Sequence, residues 1–158
     1  MNSTRQSRFD AIAAAMGHSF AGEILIGGDY VSTQRHGPQV FVSGQIPRVG
    51  TTVVVTGRVG SEVSLAEAQA GARICAMRAL ALLARALGSL DRITQLLKVG
   101  VYVQSAADFT QQSEVADAAS ALLHEVLGPA GTHTRTSVGV YQLPKNAAVE
   151  LDLIAAVE

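Results

Sequence analysis

Arg135, Ser137 and Glu150 are residues of the types that handle a small charged molecule, and they lie close together near the C-terminus. An arginine fork grips a carboxylate through two parallel N–H donors, and a carboxylate can take up and return a proton. Strand alternation over Thr134 to Gln142 puts Arg135, Ser137, Gly139 and Tyr141 on one face and Val138 and Val140 on the other. With the valines turned to the core, Arg135 is expected to face away from it. In Ala148 to Val157 the same rule sends Val149, Leu151 and Leu153 inward and leaves Glu150 and Asp152 on the opposite side. Leu143-Pro144-Lys145-Asn146 is turn-like, so the two stretches are expected to pair as a hairpin that carries a guanidinium, a hydroxyl and two carboxylates on one sheet face. A cross-strand ion pair between Arg135 and Glu150 on a wet face, worth roughly a few tenths of a kcal/mol, fits the same pattern. Alternation alone does not choose between the two.

Other reactive types are poorly placed. Cys75, the single cysteine, excludes an intramolecular disulfide, and its Ala-rich surroundings suit a buried thiol better than a nucleophile. The four histidines (His18, His36, His124, His133) are scattered without ligand-like spacing, so neither a metal nor another cofactor is expected. Ser43 and Ser137 have no His-Asp partner pattern that would make either a nucleophile. His133, two residues from Arg135, would share its strand face, although a solvated loop histidine fits as well. Tyr141 either lines the same face or packs across an interface between subunits.

The elements that position these residues are readable from period and punctuation. Phe9, Ile12, Ala13 and Met16 recur at helical spacing before Gly17, predicting a helix over Arg5 to Met16. Strands are predicted at Glu23 to Ile26, at Val40 to Ser43 ahead of Gly44, and over the β-branched run Thr51 to Thr56. Ser64-Leu65-Ala66-Glu67 is a capping box, and it opens a helix expected to run to Gly88. Its apolar stripe is Ala68, Ala72, Cys75, Ala79, Leu82 and Ala86, with Glu67, Arg78 and Arg85 outside it. Lys98 to Gln104 alternates as a half-buried strand, and Asp108 is read as the cap of a second helix that Gly128-Pro129 ends. The order β-β-β, α, β, α, β-β implies an α/β fold of the two-layer α+β kind, a mixed sheet with both long helices on one face. Residues 1–21 read as an N-terminal helical extension and 22–158 as one domain.

At 158 residues the chain can bury a core without disulfides or metals. The formal net charge of -1 offers no phosphate-tracking surface, so nucleic acid is not an expected partner. No apolar run is long enough to span a bilayer, and the first residues lack the apolar core of a signal peptide. No membrane association and a cytoplasmic location are expected.

The stretch Asp29-Tyr30, through Arg35, Gly37 and Val40 to Phe41-Val42-Ser43-Gly44-Gln45-Ile46-Pro47, resembles the N-terminal signature of the RidA/YjgF family, also known under the endoribonuclease L-PSP name. Lys98 to Val103, Asp108-Phe109, Arg135-Thr136-Ser137, Leu143-Pro144-Lys145 and Val149-Glu150-Leu151 follow in the family's order, so the resemblance covers about Tyr30 to Val157. It implies a chorismate-mutase-like homotrimer with clefts between subunits. Residue by residue, it implies that Arg135 holds a substrate carboxylate, that Glu150 positions or activates water, and that Tyr30, Ser43 and Gly44 line the cleft. Backbone groups near Ser43, Gly44 and Ser137 would place the water. His133-Thr134 stands where the family's deaminases carry Pro-Ala, Ser137 stands where they often carry cysteine, and an extra segment precedes Tyr30. These departures point to another branch of the family.

The resemblance implies hydrolytic deamination of small 2-imino or enamine acids to 2-oxo acids and ammonia. An imine is already electrophilic, so a carboxylate anchor, a placed water and a proton shuttle suffice. A non-catalytic trimer that binds a small carboxylate metabolite would use Arg135 without needing Glu150. Ribonuclease activity, a label some members carry, finds no stacking or basic surface here.

Overall fold

The computed structural model describes residues 3–158. Helix α1 spans Arg5–Met16; Thr4 caps it by accepting the Ser7 amide at 3.0 Å, and Gly17 ends it in the left-handed region (φ 71). It buries Phe9 and Ile12, sets Phe9 edge-on to Phe20 at 6.2 Å, and is tied down by Arg5 donating to the Ile93 carbonyl and Arg8 to that of Val126. Helix α2, Leu65–Leu87, starts at the complete Ser64/Glu67 capping box and stops at Gly88. Helix α3 is Gln112–Leu127.

The main sheet has the order β1-β2-β7-β5-β6, from Thr33–His36 (β1), Gln39–Gln45 (β2), Val149–Val157 (β7), Ile93–Gln104 (β5) and Thr134–Val140 (β6). Short strands β3 (Arg48–Val49) and β4 (Thr52–Val53) pair with each other. Both long helices cover one face, packing on each other and on the sheet. The two-layer mixed sheet is as expected from the sequence. The core between the layers is aliphatic, with Leu80, Leu83, Leu122 and Leu123 meeting Val99, Val101, Val149 and Leu151.

Several local expectations are corrected. Glu23 to Ile26 forms no strand and instead walls a cavity, and Thr51 to Thr56 supplies only β4 and an isolated bridge at Thr56. Gln111, without a side-chain cap bond, precedes α3, so Asp108 is not its cap. The closing strands are not a hairpin: β7 is central, between β2 and β5, and β6 pairs in parallel with β5. The cause is α3. A helix connecting two strands of one sheet returns the chain to the starting end, so β5-α3-β6 is a crossover unit.

Candidate functional site

The last strand sets one half of the site. Val149, Leu151 and Leu153 of β7 are buried, and Glu150 and Asp152 project from the uncovered face. Opposite, β2 carries a bulge: Val42 pairs with Leu153 but Gln45 with Leu151, so the irregularity falls at Ser43-Gly44. The bulge brings the backbone of Gly44 against the Glu150 side chain. A Cβ at Gly44 would strike Glu150 Oε1 and lie 3.0 Å from its Cδ, so only glycine leaves room for the carboxylate. Ser43 is turned away, donating its hydroxyl to the Val31 carbonyl at 2.6 Å.

Glu150 and Gly44 line a cavity of about 190 Å³ together with Tyr30, Ile46, Arg48 and Arg78. Burial, and then the charge of Asp152, raises the Glu150 pKa above its ordinary value. A raised pKa makes a half-buried carboxylate a stronger base, suited to taking a proton from water and returning it. The larger hollow, about 470 Å³ between α1 and the end of α2, is remote from these residues.

Arg135 and Ser137 lie elsewhere. Arg135 pairs with Val99 and Ser137 with Val101, both buried, which puts these two side chains on the helix-covered side of β6. Val138, beside Tyr102, faces the uncovered side and is 40% exposed. The alternation of β6 is as read, but the assignment of its faces is reversed. Arg135 and Glu150 of one chain therefore project from opposite faces, and no cross-strand pair forms.

The arginine is nevertheless held. Both Nη1 protons are used, at 2.9 Å from Asp117 Oδ1 and at 2.9 Å from Ser120 Oγ, and Nη2 donates to the Ser113 carbonyl at 3.3 Å. Among the described residues Nε–H and one Nη2–H have no partner, which leaves two donors for a ligand. His133 completes the arrangement from behind. Its Nδ1 sits 2.6 Å from the Gly131 carbonyl and so carries the proton, and its Nε2 accepts from Ser120 Oγ at 2.9 Å. That leaves the serine oxygen free to accept from Arg135. Burial, with the charges of Arg135 and His124 adding, lowers the His133 pKa and favours this neutral ring. Ser137 Oγ is buried without a partner among the described residues.

The site residues named from the sequence thus form two groups, Tyr30, Gly44 and Glu150 with Ser43 at their edge, and Arg135 with Ser137. Asp117 and Ser120 on α3, and Arg48, Arg78 and Lys145 around the cavity, were not singled out. Arg78 had a signal, since it stands three residues after Cys75 and four before Leu82, on the edge of the apolar stripe. Cys75 is fully buried and burial pushes its thiol pKa up, as suits a packing residue. Tyr141 is 83% exposed, with the Arg58 guanidinium 4.5 Å from its ring centre. Among the described residues no three His, Cys, Asp or Glu side chains are placed to hold a metal, and no helix is long and apolar enough to cross a membrane.

Gly44→Ala provides a sharp test of this geometry. The group it would strike is the far end of a flexible side chain, so thermal stability should change little while the Glu150 carboxylate is pushed aside. If Glu150 is the group that transfers a proton, activity falls at least about tenfold. Full activity would show that the contact with Gly44 is irrelevant.

Residues 10–157 match the family model described as "YjgF/chorismate_mutase-like, putative endoribonuclease". The chain is 43% identical over 127 residues to protein TCP17 of Trypanosoma cruzi, covering 80% of this chain and 79% of that one. The crystal structure of Atu1372, a protein of unknown function from Agrobacterium tumefaciens, is 37% identical, with a TM-score of 0.84 and 97% of each chain covered. E. coli TdcF with bound serine is 25% identical, with a TM-score of 0.63, over 89% of this chain and 97% of that one.

Proposed function

Because the chain belongs to the YjgF/chorismate-mutase-like family, we propose that it hydrolyses small 2-imino or enamine acids to 2-oxo acids and ammonia, in clefts between the subunits of a homotrimer. The observation that carries this reading is the half-buried Glu150 carboxylate seated on Gly44 at the wall of the 190 Å³ cavity. Glu150 takes a proton from water as the oxygen attacks the imine carbon, and the C=N π pair passes to nitrogen. Glu150 delivers that proton to the nitrogen, giving a carbinolamine, then takes the carbinolamine O–H proton and passes it to the amine as the oxygen lone pair closes the carbonyl; the C–N bond breaks and its electron pair leaves with ammonia. Arg135, on the opposite face of its own sheet, cannot serve Glu150 of the same chain. In a closed ring of copies the arginine of one subunit meets the carboxylate of the next.

Two further observations support this reading. The sheet face left bare by the helices exposes Phe41 and Val138, apolar surface that suits burial against another copy. TdcF holds serine, which carries a carboxylate of the size Arg135 would grip. The test generates imino acids in situ with an amino-acid oxidase and follows their accelerated loss, with light scattering on the same sample. Turnover by a species of three chains is expected. A monomer at micromolar concentration, or no acceleration for any imino acid, would reject the reading.

The pH profile offers a second check. Asp152 raises the Glu150 pKa, so Asp152→Asn removes that like charge and lowers it. If the ionised form is the working base, the acid limb of kcat/KM moves to lower pH in the variant. An unmoved limb would mean that another group titrates there.

A further inference from the structure

We propose that the cavity beside Glu150 receives an anionic substrate side chain, so that the preferred 2-imino acids carry a terminal carboxylate or phosphate besides the carboxylate held by Arg135. The inference rests on the deaminase reading and names its substrate class. Arg78 of α2 is only 5% exposed. Its Nε donates to Gln45 Oε1 at 3.1 Å, its Nη1 to the Arg48 carbonyl at 2.8 Å and its Nη2 to the Leu25 carbonyl at 3.4 Å. All three acceptors are neutral, and two of its five N–H groups remain. Among the described residues the ion pairs are Arg5–Asp91 and Arg135–Asp117, so no carboxylate, Glu150 across the cavity included, lies within ion-pair distance of Arg78. A cation taken out of water without an anion is costly, and the cost is recovered if a ligand supplies the anion.

A second observation points the same way. Arg48 lines the same cavity, and its Nε–H is buried with no partner. Lys145, held in the left-handed region (φ 59) by the turn before β7, adds a third cation to the wall. Leu25, Ile26 and Ile46 also line it and supply an apolar stretch. A substrate with its imine carbon at Glu150 would run a short hydrocarbon chain along that stretch and end on the guanidinium groups. Glu23, in a smaller hollow of about 60 Å³ that Arg48 and Arg78 also touch, is exposed and beyond ion-pair distance.

Calorimetry on the wild-type protein tests this with three stable 2-oxo acids: 2-oxoglutarate, 3-phosphonooxypyruvate and the neutral-ended 2-oxopentanoate. At least one of the first two should bind about tenfold or more tighter than the third, the scale of one good charge-assisted contact, and the tighter one identifies the anion. Arg78→Gln and Arg48→Gln should each bring that ratio towards one. If Arg78→Gln does not fold, Arg48→Gln, at a half-exposed position, decides alone. Equal affinities in the wild type, or a ratio kept by the folded variants, overturn the inference and leave the deaminase reading standing. Binding of none of the three overturns both.

Discussion

Arg135→Ala is expected to lower kcat/KM on imino acids by about 10²- to 10⁴-fold, the value of two charge-assisted hydrogen bonds. Arg135→Lys should recover little of it. The structure sharpens the reason, because Asp117 and Ser120 consume both Nη1 protons and leave Nε–H with one Nη2–H for a ligand. A lysine ammonium at this position would be drawn to Asp117 and could not offer the planar two-donor edge. The loss should fall mainly on KM and on the affinity for 2-oxo acids, since in the proposed mechanism the arginine anchors and Glu150 moves protons. Steady-state kinetics with calorimetry on both variants decides it, and near-normal activity of Arg135→Lys would rule out a bidentate anchor.

Glu150→Gln is expected to separate binding from turnover. The amide keeps the shape of the side chain and its place over Gly44, but it cannot exchange a proton. Hydrolysis at saturating substrate should drop by the roughly 10²- to 10⁴-fold typical of lost acid–base catalysis, while a 2-oxo acid still binds through Arg135. The opposite faces taken by Arg135 and Glu150 in one chain strengthen this expectation, because no intrachain ion pair exists for the substitution to break. An unchanged saturated rate would remove Glu150 from the mechanism and favour a trimer that only binds carboxylates.

Mixing the two variants adds a test of assembly. If each cleft takes Arg135 from one subunit and Glu150 from another, trimers reassembled from Arg135→Ala and Glu150→Gln chains should regain part of the wild-type activity. Clefts that draw both intact residues from unmutated positions of different chains account for the recovery. Absence of any recovery in verified mixed trimers would mean that no cleft combines Arg135 of one chain with Glu150 of another.

Short-range periodicity determined much of this protein from sequence alone. The capping box and Gly88 delimit α2 because they satisfy the orphan amides at one end and permit a left-handed residue at the other. The alternation of Lys98 to Gln104 and of Val149 to Val157 sends the valines and leucines to the core and Glu150 to the bare face, as the sequence indicates. Tyr30, Gly44 and Glu150, named as a cleft group from family resemblance, do share one cavity. What only the tertiary structure decided depends on distant partners. Alternation says which residues of β6 share a face but not which face turns inward, and that choice came from its register with β5 and from the polar edge of α3, where Asp117 and Ser120 reward Arg135 for facing the helices. The crossover through α3 likewise made β6 parallel to β5 instead of the partner of β7. Arg78 read as a residue outside the apolar stripe because nothing local reveals Gln45 and the carbonyls of Leu25 and Arg48, 33, 53 and 30 residues away in sequence, which fold over its guanidinium. Pairing and burial between such remote segments are settled by the chain's whole topology, and a window of neighbouring residues does not contain it.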